Sequence, residues 1–270
     1  MADAAPDPVS EPTPGPTPDP AADPARAYGA RVMELLERVG RENDAALEEA
    51  AGLLVDRLAR RGGLLYAAGA GHSLIPVNDA FYRAGGLAAV RPLYHPELYP
   101  LHGALPSTRA ERRSGLAAEV LDAAGITGAD VLMIFSTSGA NPYPVELAAL
   151  GRERGVPVVA VTSRAASAAA PARAGAALGR LVDQADIVLD TLIRPGDAGY
   201  PPEAPVTGAL STLANGYLWT LLLVRVYDRA VAAGLELPLW RSANVPGGDA
   251  ANAALFAAYA PRVPELGADG

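Results

Sequence analysis

The sequence predicts an α/β protein built on a parallel sheet with helices over both faces. Five short apolar runs, at 64–68, 88–93, 131–135, 158–162 and 187–189, are separated by stretches of helical periodicity. Runs this short and this uniformly apolar are typical of strands buried on both faces. Strands alternating with helices pair in parallel through crossover connections. Half of the residues are hydrophobic, enough to fill such a core.

Taken in order, residues 1–25 are rich in Pro, Ala and Asp and read as a disordered tail. From 28 to 61, Val32, Leu35, Leu36, Val39, Leu47, Ala50, Ala51, Leu54 and Leu58 recur at steps of three and four, so one helix is predicted, stopped by Gly62-Gly63. Further helical patterns lie at 75–84, 108–124, 144–154 and 176–184. A long helix at 207–233 carries Leu210, Leu213, Tyr217, Leu221, Val224 and Val231 on its apolar stripe. That stripe exceeds what one sheet face needs and points to a homodimer, the alternative being a helix buried within one chain. Residues 26–250 thus form a single domain with helical extensions, and 251–270 read as a flexible Ala-rich tail.

Composition excludes several chemistries. The chain has no cysteine, hence no disulfide, thiolate nucleophile or Cys-based metal site. It has no lysine, so Schiff-base chemistry and a phosphate-loop lysine are absent too. A net charge of −8 with no evident basic face argues against nucleic-acid binding, so an anionic ligand would need backbone amides and individual arginines. No apolar run reaches the roughly 18 residues of a membrane span, and no secretory signal is recognisable, which predicts no membrane partner and a cytoplasmic location.

In parallel α/β sheets ligands bind beyond the carboxyl ends of the strands. Two strand ends stand out. Gly69-Ala70-Gly71-His72-Ser73 follows the first strand, where glycines allow close backbone approach and a helix start favours an anion. Ser136-Thr137-Ser138-Gly139-Ala140-Asn141 follows the third, where three hydroxyls and free amides make a phosphate cradle without lysine. Either loop alone is compatible with an ordinary turn or helix cap. The first is not a dinucleotide loop, because its third glycine and the acidic residue after the second strand are missing.

These loops and the helix between them resemble the SIS (sugar isomerase) domain, over about residues 28–250. The segments GAGHS, FYRAGGL, HGAL-x-ST, STSGAN, GDA and SANVPGGD resemble stand-alone bacterial SIS proteins. The resemblance implies a three-layer αβα sandwich with a flavodoxin-like parallel sheet of five strands, a phosphosugar ligand, and a homodimer with shared active sites. Carried over, Gly71, His72, Ser73, Arg83, Ser136, Thr137, Ser138, Asn141, Thr212 and Asn244 become candidate substrate contacts. Asn141 stands where typical loops of the family end in Thr.

The resemblance also bears on chemistry. Sugar isomerases of the family and the N-acetylmuramic acid 6-phosphate etherases often carry a glutamate ten residues past the first loop's serine, where this chain has Arg83. Arg109-Ala110-Glu111-Arg112 is similar in position to the etherases' second glutamate motif. Glu111 is therefore the candidate base, and His102 or Glu97 the candidate acid. The implied reaction is dehydration of N-acetylglucosamine 6-phosphate, as in actinobacterial dehydratases of that sugar. Aldose–ketose isomerisation and non-catalytic sensing are the alternatives. His95, Glu97 and His102 offer a two-His, one-carboxylate set whose convergence the sequence leaves open; no metal and no cofactor are assigned. The NVPGGD run from Asn244 and Asp197 in PGDAG read first as turns and, by the resemblance, second as residues that close over the pocket.

Overall fold

The computed structural model describes residues 23–171 and 178–267. Five parallel strands form the central sheet: β1 (Leu65–Ala68), β2 (Val90–Leu93), β3 (Val131–Phe135), β4 (Val158–Thr162) and β5 (Ile187–Asp190). Their order is β2-β1-β3-β4-β5, so the chain reverses direction across the sheet between β1 and β3. This switch point opens a crevice above the strand ends. Every residue of β1, β3 and β4 is buried, which explains their uninterrupted apolar sequences.

On one face lie α2 (Asp44–Leu54, continued by a π-helical turn Val55–Arg60), α3 (Leu74–Ala80) and α9 (Ser211–Ala232). On the other lie α5 (Leu116–Ala124), α6 (Pro142–Glu153) and α8 (Leu181–Gln184). Shorter α4 (Ala104–Ala110) and α7 (Arg164–Ala169) sit near the strand ends, and α1 (Pro24–Glu42) packs along α9. The expected three-layer α/β sandwich with extra terminal helices is what forms.

The predicted helix at 28–61 is two helices. It begins earlier, at Pro24, capped by the Asp23 side chain, and breaks at Asn43. Asn43 is buried; its Nδ2 donates to the carbonyls of Val39 and Asp190, and its Oδ1 accepts from the Asp190 amide. One side chain thus ties the helix break to the end of β5. Asn43→Leu is expected to leave both Asp190 backbone groups unpaired and to cost about 2–3 kcal/mol, measurable by urea unfolding.

Other boundaries also move. The predicted helix at 75–84 ends at Ala80, and that at 108–124 splits at a turn where Gly115 adopts φ 91°. The helix expected at 176–184 is found only over Leu181–Gln184, with 172–177 outside the described residues. Residues 207–209 are not helical but form β7 (Thr207–Ala209), an antiparallel partner of β6 (Ala198–Tyr200). Gly208, at φ 67°, lies against the Tyr28 ring, so a side chain there would collide.

The expected flexible tail at 251–270 is also corrected. α10 (Gly248–Tyr259) runs through its first half, Val263 is fully buried, and Glu265 pairs with Arg91. The expected tail at 1–25 lies outside the described residues up to 22, and Pro24 and Ala25 already belong to α1. Among the described residues no helix is long and apolar enough to cross a membrane. α9 buries Leu218, Trp219, Leu222 and Val226 against the core, while Leu213, Val224, Tyr227 and Val231 stay exposed on its outer stripe.

Candidate active site

The crevice at the switch point is a two-lobed cleft. The first lobe has a volume of about 460 Å³ and is lined by the β3–α6 loop (Ser136, Thr137, Ser138, Asn141) and by the 194–197 turn. The second, of about 300 Å³, is lined by the β1–α3 loop (Gly71, His72, Ser73), one side of α4, and Ser211 and Asn215 of α9. Ala70, Ser73, Glu111, Thr137 and Asp197 line both, so they mark the junction. The first lobe is in the size range of sites that hold a small molecule.

Local sequence explains each wall. In the β3–α6 loop, Gly139 turns at φ 53° and its amide donates to Ser136 Oγ at 3.2 Å. The Thr137 carbonyl accepts from the Ser163 amide and from Thr162 Oγ1, pinning the loop to the end of β4. Asn141 caps α6 from an extended conformation, and its side chain makes no hydrogen bond to the helix. Ser136, Thr137, Ser138 and Asn141 are half-buried and present hydroxyls and an amide at a helix N-terminus, the arrangement that stabilises an anion. In the β1–α3 loop, Gly71 turns at φ 59° and the Ser73 amide donates to the Ala70 carbonyl.

Glu111 reaches the junction because its segment is latched to α6. Its backbone carbonyl accepts from the Tyr143 amide at 3.1 Å, one of the amides in the first turn of α6 that has no partner within the helix. Four residues on, the Gly115 amide donates to Glu146 Oε2 at 2.8 Å. The Tyr143 phenol below is fully buried without a hydrogen-bond partner among the described residues, and burial pushes its pKa up.

Asp197 holds the opposite wall. With φ 59°, its Oδ1 accepts from the Leu210 and Ser211 amides, and its Oδ2 accepts from Ser211 Oγ at 2.6 Å. It caps α9, so of the two readings its hydrogen bonds carry the structural one, while its position also puts it on the cleft. Asp197→Ala is expected to fray the first turn of α9 and to destabilise the fold by about 2 kcal/mol in chemical unfolding.

Of the residues picked from the sequence, Gly71, His72, Ser73, Glu111, Ser136, Thr137, Ser138 and Asn141 line the cleft. The other five do not. Arg83 is exposed and pairs with Asp79, one turn back. Glu97 pairs with Arg113 at 3.0 Å, and its amide donates to His95 Nδ1, so that stretch closes on itself in a short turn. His102 is exposed, with Nδ1 donating to the Pro96 carbonyl at 3.2 Å and its ring packed edge-on against Tyr94 and Tyr99. Asn244 is exposed in a turn, its amide donating to Ser242 Oγ. Thr212 lies one residue past the lining position Ser211, turned about 100° around the helix from it. Arg194, Ser211 and Asn215 also line the cleft and are not among the candidates that the sequence suggests.

The SIS domain family model matches residues 27–163, a span that contains both loops and Glu111. A UPF0309 protein of Streptomyces griseus is 38% identical over 235 residues, spanning 85% of this chain and 92% of that protein. Another, from Listeria innocua, is 33% identical over 244 residues, spanning 87% and 95%. The fold is also similar to that of phosphoheptose isomerase GmhA from Neisseria gonorrhoeae, with a TM-score of 0.50 at 19% identity over 76% of this chain and 97% of the isomerase. With the family's loops at the strand ends and relatives aligned over most of its length, the chain belongs to the SIS domain family.

Proposed function

We propose that the cleft binds a phosphosugar and that the chain is a lyase, removing water across C2 and C3 of N-acetylglucosamine 6-phosphate. The observation that carries this reading is the position of Glu111, a carboxylate lining both lobes next to an anion-binding helix start. The phosphate rests on the Ser136–Ser138 hydroxyls and the amides at the start of α6, and the sugar runs from there toward the junction.

In the open-chain sugar the C2 proton is acidic, because its loss leaves an enolate. Glu111 takes that proton, the electrons of the C2–H bond end in a C2–C3 double bond, and the C3–O bond breaks. The acid roles expected for His102 and Glu97 do not fit their positions off the cleft. The carboxyl of Glu111, protonated in the first step, returns its proton to the departing hydroxyl, so water leaves and the carboxylate is restored. His72, which lines the second lobe, contacts a sugar hydroxyl in this proposal. The reading includes a homodimer formed through the exposed Leu213, Val224, Tyr227 and Val231 stripe of α9.

Isomerisation shares the enolate step and returns the proton to C1, whereas a sensor performs no step at all. Incubation with N-acetylglucosamine 6-phosphate in deuterium oxide is expected to erase the C2 proton resonance. A sugar that binds saturably yet keeps that proton over hours would contradict any catalytic role for Glu111 and favour a sensor.

A further inference from the structure

A second, smaller cavity is lined by Leu192, Ile193 and Ala198 of the 192–198 turn and shares Arg194 with the cleft. It has a volume of about 70 Å³, and its walls include Arg31, Glu34 and Arg38 of α1, with Leu192, Arg194 and Leu210 opposite. In a chain of net charge −8, three arginines and one glutamate line this cavity. Arg38 is paired with Glu42 at 3.3 Å, but Arg31 and Arg194 have no ion pair among the described residues. The Nε of Arg31 is shut off from solvent and has no hydrogen-bond acceptor among the described residues. Leaving a charged donor unsatisfied in this way is costly, and such groups call for an explanation.

We propose that this cavity is a second anion site, which takes a single phosphoryl-sized oxyanion. It is too small for a whole sugar phosphate, for which sites of several hundred Å³ are usual. An oxyanion there supplies acceptors to Arg31 and Arg194 and offsets the local positive charge. Arg194 also lines the first lobe of the cleft, so one guanidinium borders both cavities. Occupancy of the small site therefore bears on the charge that the cleft presents to its own ligand. The turn that carries Arg194 is held by Leu192 at φ 55°, a conformation a leucine rarely adopts.

The test uses the full chain and inorganic phosphate, followed by calorimetry. The double variant Thr137→Ala, Ser138→Ala removes two hydroxyls of the cleft loop. In that background phosphate is expected to bind still, and adding Arg31→Gln is expected to weaken it about tenfold. Arg38 is exposed, so Arg38→Gln should fold normally and is expected to weaken phosphate in the same direction. Loss of all phosphate binding in the cleft variant, with its circular dichroism unchanged, would overturn the second site. So would phosphate affinity indifferent to both arginine substitutions. Because the readout is phosphate binding, neither result depends on whether the chain is a lyase.

Discussion

Replacing Glu111 by Gln is expected to lower turnover of N-acetylglucosamine 6-phosphate by about 10²–10⁴-fold, the usual contribution of a positioned general acid–base group. Binding is expected to change little, because the amide keeps the shape of the side chain, and in the proposed binding mode the phosphate contacts come from the β3–α6 loop. The backbone latch to Tyr143 does not involve the side chain, so the segment should stay in place. A fall in kcat without a matching rise in KM is the signature of a group needed in the transition state and not for ground-state binding. Single-turnover measurement checks this directly. Unchanged turnover would remove Glu111 from the reaction.

Gly69→Ala is expected to have the largest effect on stability of any single methyl added near the cleft. A Cβ at Gly69 would stand 2.4 Å from the Ser73 carbonyl oxygen and 2.8 Å from its carbon. Both are backbone atoms at the start of α3, so no flexible side chain can yield. The cost is about 3 kcal/mol, or a fall in Tm of roughly 6–12 °C for a domain of this size. The β1–α3 wall of the cleft should be lost with it. Gly71→Ala is the control: a Cβ there meets nothing within 4 Å, and only its φ of 59° is unfavourable. That costs about 1–2 kcal/mol. Equal losses from the two substitutions would contradict the packing described for this loop.

The strands were the most legible part of the sequence. β3 and β4 form over the residues their apolar runs marked, since burial on both faces leaves no polar interruption to blur the ends. β2 starts two residues late because the chain before it pairs elsewhere, with the Ala88 amide donating to the Pro238 carbonyl and the Trp240 amide to Gly86. Such a contact, some 150 residues away in sequence, leaves no local trace. The break at Asn43 was hidden for a similar reason, because the apolar period continues through it and its partner lies on β5.

The site was legible where a loop's own residues build it, and obscure where a helix's phase decides. Ser73, Ser136, Thr137, Ser138 and Asn141 were readable as strand-end chemistry. Thr212 is a candidate only through the family resemblance; in α9 it is Ser211 and Asn215, four residues apart on one face, that turn toward the cleft. His102 and Glu97 lie close to Glu111 in sequence, but their turns bond internally and face outward. Arg194 had no motif to betray it, only a position beyond β5 that the sheet order brings to the cleft.

The most direct measurement is mass spectrometry of N-acetylglucosamine 6-phosphate after incubation with the purified protein. A lyase is expected to give a product lighter by about 18 mass units, the one water lost when the C2 proton and the C3 hydroxyl depart together. A product of unchanged mass with a new ketose signature, or a sugar bound but never altered, would contradict the lyase.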